Sequence, residues 1–397
     1  MTRQQTLQIV KRCELLTRLM RYMSIRILGN PDIRSPREDD VELYKPCDVI
    51  VDWPQDKEKP FVELTRDINE NPHWTKFRRF LKNNGFDFEI FEYHRSDWLE
   101  AAEKFDLIVW SPNSGPAELD EIKRKIYILE KKLGKKCFPD YETVLLCDDK
   151  VFLTYLLKIK GLPVADTFIS NDFDEIESIK DRLPYPLVSK RFHGASSREV
   201  TLIRNPRELA AYSRRVFSFC GMKASNAYFR QKNYLYLQKF VDGDGLDIRV
   251  NVAGDVITGY FRKPKKNDFR ASGSGVVIKE DLPLEAIEIA LKTYDLIGKA
   301  MLGVDMMRDK EGKYWIIEIS PFIGVITPIQ MKVDEIPGSY FLLEDGTLQF
   351  TEETYWPQEL AIKNFFERNY LFPEAEWKSN LVRSVVSEKK LKKGCSV

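Results

Sequence analysis

The most apolar stretch of the chain, Trp315 to Ile329, carries an acid, Glu318, flanked by Ile316, Ile317 and Ile319. An ionised carboxylate in such company needs a cation or a metal, because burying a bare charge is expensive. Lys313 to Ile319 reads as a strand. The polar turn Asp309–Gly312 joins it to a second apolar run, Gly303 to Arg308, and the pair predicts a hairpin. Asp305 on one strand and Glu318 on the other then meet across it. Two carboxylates so placed suit Mg²⁺, a hard cation that shares oxygen ligands with phosphates. Pairing of Glu318 with a lysine or arginine is the plainer alternative.

Three further constellations precede the hairpin. Ser189-Lys190-Arg191 leads into a small polar loop with Gly194, Ser196, Ser197 and Arg198. Glycine and serine let backbone N–H groups approach an anion, and lysine adds a point charge. The pattern GxxxxGK[ST] is absent, and by itself the loop is equally an ordinary hairpin. In Leu246–Val252, alternation puts Asp247, Arg249 and Asn251 on one face and Leu246, Ile248, Val250 and Val252 on the other. Taken alone, the charged row is the wet side of a sheet. Finally, Arg262, Lys263, Lys265, Lys266 and Arg270 precede a Gly/Ser stretch, a basic loop able to neutralise a triphosphate or simply to lie on the surface.

The rest of the chain places these signals. Runs at Ser24–Leu28, Cys47–Asp52 and Asp106–Trp110 read as strands. They alternate with helical stretches at Trp74–Asn84, Asp97–Lys104 and Glu118–Leu133, predicting a doubly wound α/β sheet. Lys150–Ile159 and Pro206–Phe217 read as helices, the latter opened by Asn205 as N-cap. From Leu235 the pattern turns antiparallel, with a hairpin at Leu246–Val252 and Val256–Arg262 and a helix at Leu284–Lys299. The fold class is thus α/β followed by α+β. Among 397 residues, 62 Lys+Arg balance 61 Asp+Glu, which argues against a dedicated nucleic-acid binder. No apolar run approaches the ~18 residues of a membrane span. Six scattered cysteines without CxxC, and only three histidines, exclude a zinc site of Cys/His type and fit a reducing cytoplasm.

The order of the signals is lysine, lysine with small-residue loop, acidic strand, basic loop, two carboxylates. From about Lys136 to Thr327 this resembles the ATP-grasp superfamily, in the branch of bacterial glutathione synthetase and the ribosomal-protein glutamate ligases. The resemblance implies that Lys150 of Cys147-Asp-Asp-Lys150 and Lys190 reach the ATP phosphates, and that the loop with Gly194, Ser196 and Ser197 closes over them. It implies that the backbone of Gln238, Lys239, Phe240 and Val241 reads adenine, and that Asp244 or Asp247 lies near the ribose. Asp247-Ile248-Arg249 is similar to the branch's DxR strand. Arg262 and Arg270 resemble phosphate-contacting catalytic arginines. Asp305 and Glu318, with Ser320 in place of the family's usual Asn, resemble the ligands of Mg²⁺, or of Mn²⁺ in its stead.

The implied activity joins a carboxylate, through an acylphosphate, to an amine, releasing ADP and phosphate. Substrates are small-molecule or peptide carboxylates and amines, with no nucleic-acid or membrane partner and a homodimer compatible with the family. A nucleotide-binding regulator with a weakened metal site and a small-molecule kinase are the competing readings. The expected division is 1–22, a basic N-terminal helix or extension; 23–135, the preceding α/β domain; 136–350, the two-lobed ATP-grasp domain with its hinge near 238–241; and 351–397, a helical, polar C-terminal extension.

Overall fold

Four parallel strands, β1 (Val62–Thr65), β2 (Phe88–Phe91), β3 (Leu107–Val109) and β4 (Lys136–Phe138), form the first sheet in the order β2-β1-β3-β4. The computed structural model describes residues 44–67, 72–110, 116–191, 200–223, 230–266, 268–271 and 276–372. Helices α1 (Trp74–Asn83), α2 (Trp98–Ala102) and α3 (Pro116–Lys131) alternate with the strands, as the doubly wound reading requires. The expected strand at Ser24–Leu28 and the 1–22 extension lie outside the described residues.

One strand differs. Cys47–Asp52 joins no ladder. Val49 and Val51 are buried as an apolar run should be, but the amide of Asn84 takes the place of a neighbouring strand. Val51 N–H donates to its Oδ1 at 2.8 Å, and its Nδ2 donates to the Val49 carbonyl at 2.9 Å. The strand that does form, β1, has an acid, Glu63, in its middle, which hid it from a search for apolar runs.

The second sheet is antiparallel, with order β5-β10-β6-β7: β5 (Thr167–Ser170), β6 (Leu187–Lys190), β7 (Val200–Ile203) and β10 (Leu235–Lys239). Between β7 and β10 lies a short ribbon, β8 (Met222–Lys223) with β9 (Arg230–Gln231). Before this sheet come α4 (Tyr141–Asp148) and α5 (Lys150–Ile159). Asp149 opens α5 by accepting from Val151 and Phe152 N–H at 2.8 and 3.0 Å, so Lys150 is its first residue. Helices α6 (Phe173–Ile179) and α7 (Pro206–Val216) cover the sheet through Ile176, Leu209 and Val216. Asn205 caps α7 as expected, accepting from Glu208 N–H at 2.9 Å.

The third sheet runs β15-β14-β11-β12-β17-β16, with β13 added to β12 and β18 to β17. Its strands are β11 (Gly243–Ala253), β12 (Val256–Arg262), β13 (Val277–Ile278), β14 (Leu302–Asp309), β15 (Tyr314–Ser320), β16 (Met331–Val333), β17 (Ile336–Leu342) and β18 (Leu348–Thr351). Helix α8 (Leu284–Ile297) packs beneath, burying Ala286, Ile287, Ala290 and Tyr294 against Ile248, Val250, Val252 and Val304. It ends at Gly298, whose φ of 68° suits the C-cap. The two sheets are stitched at β15: Ala165 N–H donates to the Ile316 carbonyl at 3.1 Å, and Ile316 N–H to that of Pro163 at 2.7 Å.

Within the expected helical, polar extension 351–397, a helix does form, α9 (Pro357–Phe366), but it is a core helix rather than a polar one; residues 373–397 lie outside the described residues. Leu360, Ile362, Phe365 and Phe366 pack with Phe77, Phe80 and Phe86 of the first sheet's layer. Two of its polar residues look solvated in sequence but have partners far along the chain. Glu359 is bound by Arg79 at 2.8 Å, and Asn364 donates to the Ala300 carbonyl at 3.1 Å.

Candidate active site

The acidic and basic residues picked out in sequence meet on one face of the third sheet. Alternation along β11 sends Ile248, Val250 and Val252 into the core and leaves Asp247, Arg249 and Asn251 on the other face. That face is not wet: Asp247 is 2% and Asn251 3% exposed. Strand register puts Arg249 opposite Asp305 and Asp305 opposite Glu318, with Asp247 opposite Arg262. Arg249 grips Asp305 with two nitrogens, Nη2 donating to Oδ2 at 2.7 Å. Arg262 Nη2 bridges Asp247 Oδ2 at 2.7 Å and Asp305 Oδ1 at 2.6 Å.

Two lysines arrive at β15 from outside the third sheet. Lys150, at the start of α5, contacts Glu318 at 2.9 Å. Lys190, at the end of β6, donates to the Ile317 carbonyl at 3.0 Å. That carbonyl is available because β15 bulges there: Asp305 pairs with Glu318 but Met306 with Ile316, leaving Ile317 over. Three carboxylates therefore face four cations, a set that leaves positive charge for an anionic ligand.

The electrostatics follow from burial and from these partners. Burial opposes ionisation of Asp305, but the Arg249 and Arg262 guanidiniums overcome it and hold the carboxyl below its ordinary range. Burial likewise works against Glu318, and Lys150 and Lys190 reverse the balance downward. Asp247 moves the other way, pushed up by burial and then by the charge of Asp305. Burial lowers the Lys190 ammonium, only partly countered by Glu318.

A cleft of about 290 Å³ lies between the second and third sheets, beside the expected hinge. Lys239, Phe240 and Val241 line it together with Asp166, Asp242 and Trp315. Lys239 N–H is used by the Asp166 carbonyl at 2.7 Å and Phe240 N–H by that of Pro186 at 3.1 Å. Among the described residues Val241 N–H makes no backbone bond. Trp315 is fixed at the cleft by its indole N–H on Asp309, at 2.7 Å.

The structure sorts the expected residues. Lys150, Lys190, Asp247, Arg249, Arg262, Asp305 and Glu318 are brought together; Lys239, Phe240 and Val241 line the cleft, and Gln238, just before them, has its side chain turned onto Thr167. Gly194, Ser196 and Ser197 lie outside the described residues. Four of the expected residues, Asp244, Asp247, Arg262 and Arg270, are held by partners within the protein. Asp247 is locked onto Arg262, and Asp244 is exposed and accepts from Leu246 N–H at 2.8 Å; the acid that lines the cleft is Asp242. Arg262 is engaged by two carboxylates, which makes it a clamp on Asp305. Arg270 is turned onto Asp268, two residues earlier in its own loop, at 2.8 Å. Sequence reasoning missed Asp166, Asp242 and Trp315, because a cleft wall built from three separate segments has no local signature.

The metal expectation can be tested on the donor set. Among the described residues no group of three or more His, Cys, Asp or Glu could hold an ion. Asp305 and Glu318, cross-strand neighbours with Ser320 next along the face, supply two carboxylates and a hydroxyl. That suits Mg²⁺, which is bound through one or two carboxylates plus substrate phosphates rather than by an all-protein cage.

Two lobes, a cleft between them and a lysine-flanked carboxylate pair make a site suited to an anionic ligand. A family model, the RimK-like ATP-grasp domain, matches residues 147–334. The α-aminoadipate–LysW ligase LysX of Saccharolobus solfataricus is 30% identical over 220 residues, 54% of this chain and 76% of the relative. The glutamate–LysW ligase ArgX of Sulfolobus acidocaldarius is 27% identical over 207 residues, 50% of this chain and 70% of the relative. A solved RimK domain ATP-grasp protein from Sphaerobacter thermophilus aligns with a TM-score of 0.46 at 16% identity, covering 65% of this chain and 90% of that one.

The chain belongs to the RimK-like ATP-grasp family. It is an ADP-forming, ATP-dependent carboxylate–amine ligase, which sets aside the kinase and regulator readings. ATP-grasp ligases bind ATP and Mg²⁺. Among the described residues, no helix is long and apolar enough to cross a membrane.

Proposed function

We propose that this ligase joins the carboxylate of a peptide or carrier-protein substrate to the amine of an acidic amino acid. The substrate class comes from likeness to relatives named for α-aminoadipate and glutamate. The observation that carries the site assignment is the convergence of Lys150 and Lys190, from outside the third sheet, on β15 at Glu318 and Ile317. In this reading adenine enters the cleft at Lys239–Val241 against Trp315, and Asp242 or Asp244 meets the ribose. Lys150 and Lys190 hold the phosphates, and the loop with Gly194, Ser196 and Ser197 covers them.

Asp305 and Glu318, with Ser320, would hold Mg²⁺, or Mn²⁺ in its place. An ion bound there would supply positive charge to the ATP phosphates. Arg249 and Arg262 keep Asp305 ionised and oriented, and Arg270 serves the phosphates from its loop. The substrate carboxylate attacks the γ-phosphorus, and the bond to the β–γ bridging oxygen breaks with its electron pair leaving on ADP. The amine then displaces phosphate, which takes the proton the nitrogen loses. No protein nucleophile is needed, since such transfers rest on positioning and charge. Scattered thiols, among them Cys47, Cys137 and Cys220, fit a cytoplasmic setting.

The test incubates the enzyme with MgATP, glutamate or α-aminoadipate, and peptides ending in an acidic residue. ADP release coupled to an amide product detected by mass spectrometry is the expected result. ADP without amide across the panel contradicts the substrate assignment. Lys190→Ala should weaken nucleotide binding even in a chelator; unchanged binding contradicts the role of Lys190.

A further inference from the structure

The polar face of β11 continues past the carboxylates to a residue that the site as described leaves idle. Asn251 is 3% exposed, and among the described residues neither its Nδ2 nor its Oδ1 has a hydrogen-bond partner. A buried amide with both ends unpaired is costly. Asn251 lies opposite Gly303, and Gly303 opposite Ser320, so the three form one row across the sheet. It is the row next to Arg249–Asp305–Glu318.

Gly303 is what lets this row gather. The position a Cβ would take there is 2.5 Å from Arg249 Nη1 and 3.1 Å from Asn251 Oδ1. The Nη1 edge of the guanidinium and the Asn251 amide therefore both reach over the bare glycine. Ser320 Oγ lies 3.4 Å from Arg249 Nη2. Neither end of the Asn251 amide is bonded, so turning it to aim Nδ2 rather than Oδ1 over Gly303 breaks no hydrogen bond; guanidinium edge, amide and hydroxyl then make a set of N–H and O–H donors, the chemistry of an oxyanion seat. The row's place along β15 gives the oxyanion its identity. Trp315 marks the base cleft and Glu318 the phosphates. Ser320 is further on, and Phe322 beyond it packs tilted against His73, ring centroids 4.7 Å apart. The row is thus on the side of the carboxylates away from the base, where the terminal phosphoryl group moves to its acceptor.

We propose that Asn251, with Ser320 and the Nη1 edge of Arg249, seats the phosphoryl group of the acylphosphate over Gly303. This deepens the ligase reading and rests on it. The step served is RCOO⁻ + ATP⁴⁻ → RCO–OPO₃²⁻ + ADP³⁻: an O–P bond forms, the bond to ADP breaks, and no proton moves.

The probe is inorganic phosphate titrated by calorimetry into the preformed MgADP complex of the full chain, with wild type, Asn251→Leu and the near-isosteric Asn251→Asp. Wild type should bind phosphate. Both variants should bind it about tenfold or more weakly, the loss expected for a hydrogen bond to a charged group, and Asn251→Asp more weakly still because it adds a like charge. MgADP affinity should stay within about twofold, as expected of a group that touches only the transferred phosphoryl. Unchanged phosphate binding in Asn251→Asp overturns the proposal, as does an equal loss of MgADP and phosphate affinity, which marks a structural role. So does wild-type MgADP complex that takes no phosphate. Failure of wild type to bind MgADP at all sinks the nucleotide site itself, a distinguishable result.

Discussion

Asp305→Asn separates what this cluster does for the fold from what it does for chemistry. Asp305 is gripped by Arg249 and bridged by Arg262, and the three side chains are 5%, 11% and 11% exposed. Neutralising the acid leaves two buried guanidiniums without the charged carboxylate that both are bonded to. Removing one partner of a buried pair costs about 3–5 kcal/mol. At ~2–4 °C per kcal/mol for a large domain, Tm should fall by at least about 6 °C. Glu318→Gln is the contrast. Its partner pair is 35% and 16% exposed, and such pairs are worth about 1 kcal/mol or less. It should therefore melt within ~4 °C of wild type yet lose ligation, because it removes charge from the metal position. The assay is thermal unfolding followed by tryptophan fluorescence, with ADP release measured on the same samples. A wild-type Tm in Asp305→Asn, or equal losses in the two variants, refutes the division. So does a Glu318→Gln enzyme with full turnover.

Other outcomes follow from single side chains. Burial, helped by Lys76, depresses the His73 imidazole to about 3. Below its ordinary 6.5 the unfolded chain gains a proton the folded chain refuses, so stability falls as pH drops through the window from 6.5 toward 3. The slope is about 1.4 kcal/mol per pH unit. Urea titrations of wild type and His73→Phe at pH 6 and pH 4 should diverge accordingly, and parallel curves contradict this. Asn84→Ala strips the bonds that stand in for a strand beside Val49 and Val51, and should cost about 2–3 kcal/mol in urea unfolding; a loss under half a kcal/mol would show that segment held by packing alone. Gly303→Ala should displace the Arg249 guanidinium and weaken MgATP binding at least about tenfold; unchanged binding contradicts the tight approach.

Much of this was legible in sequence because the signals were local. The hairpin carrying Asp305 and Glu318 forms where alternation and a polar turn place it, and the bulge at Ile317 then brings Glu318 opposite Asp305. Helix α5 begins at Lys150 because Asp149 caps it, a three-residue signal. What escaped was non-local. β1 was hidden because Glu63 interrupts its apolar run and only the assembled sheet explains its burial. α9 looked polar because the partners of Glu359 and Asn364, Arg79 and the Ala300 carbonyl, are 280 and 64 residues away. Asp247 and Arg249 read as a wet face until Arg262 and Asp305, on flanking strands, supplied their counter-charges. Asn251 could be placed on that face, but its lack of a partner is visible only in three dimensions.

The central claim, a Mg²⁺-dependent nucleotide site between the second and third sheets, is tested most directly by thermal unfolding with a non-hydrolysable ATP analogue, with and without Mg²⁺. Ligand at 100 times its Kd adds about 2.7 kcal/mol of stability. The account predicts a rise in Tm that grows when Mg²⁺ is added and that loses this Mg²⁺ increment in Glu318→Gln. No rise, or one indifferent to Mg²⁺ in wild type, contradicts it.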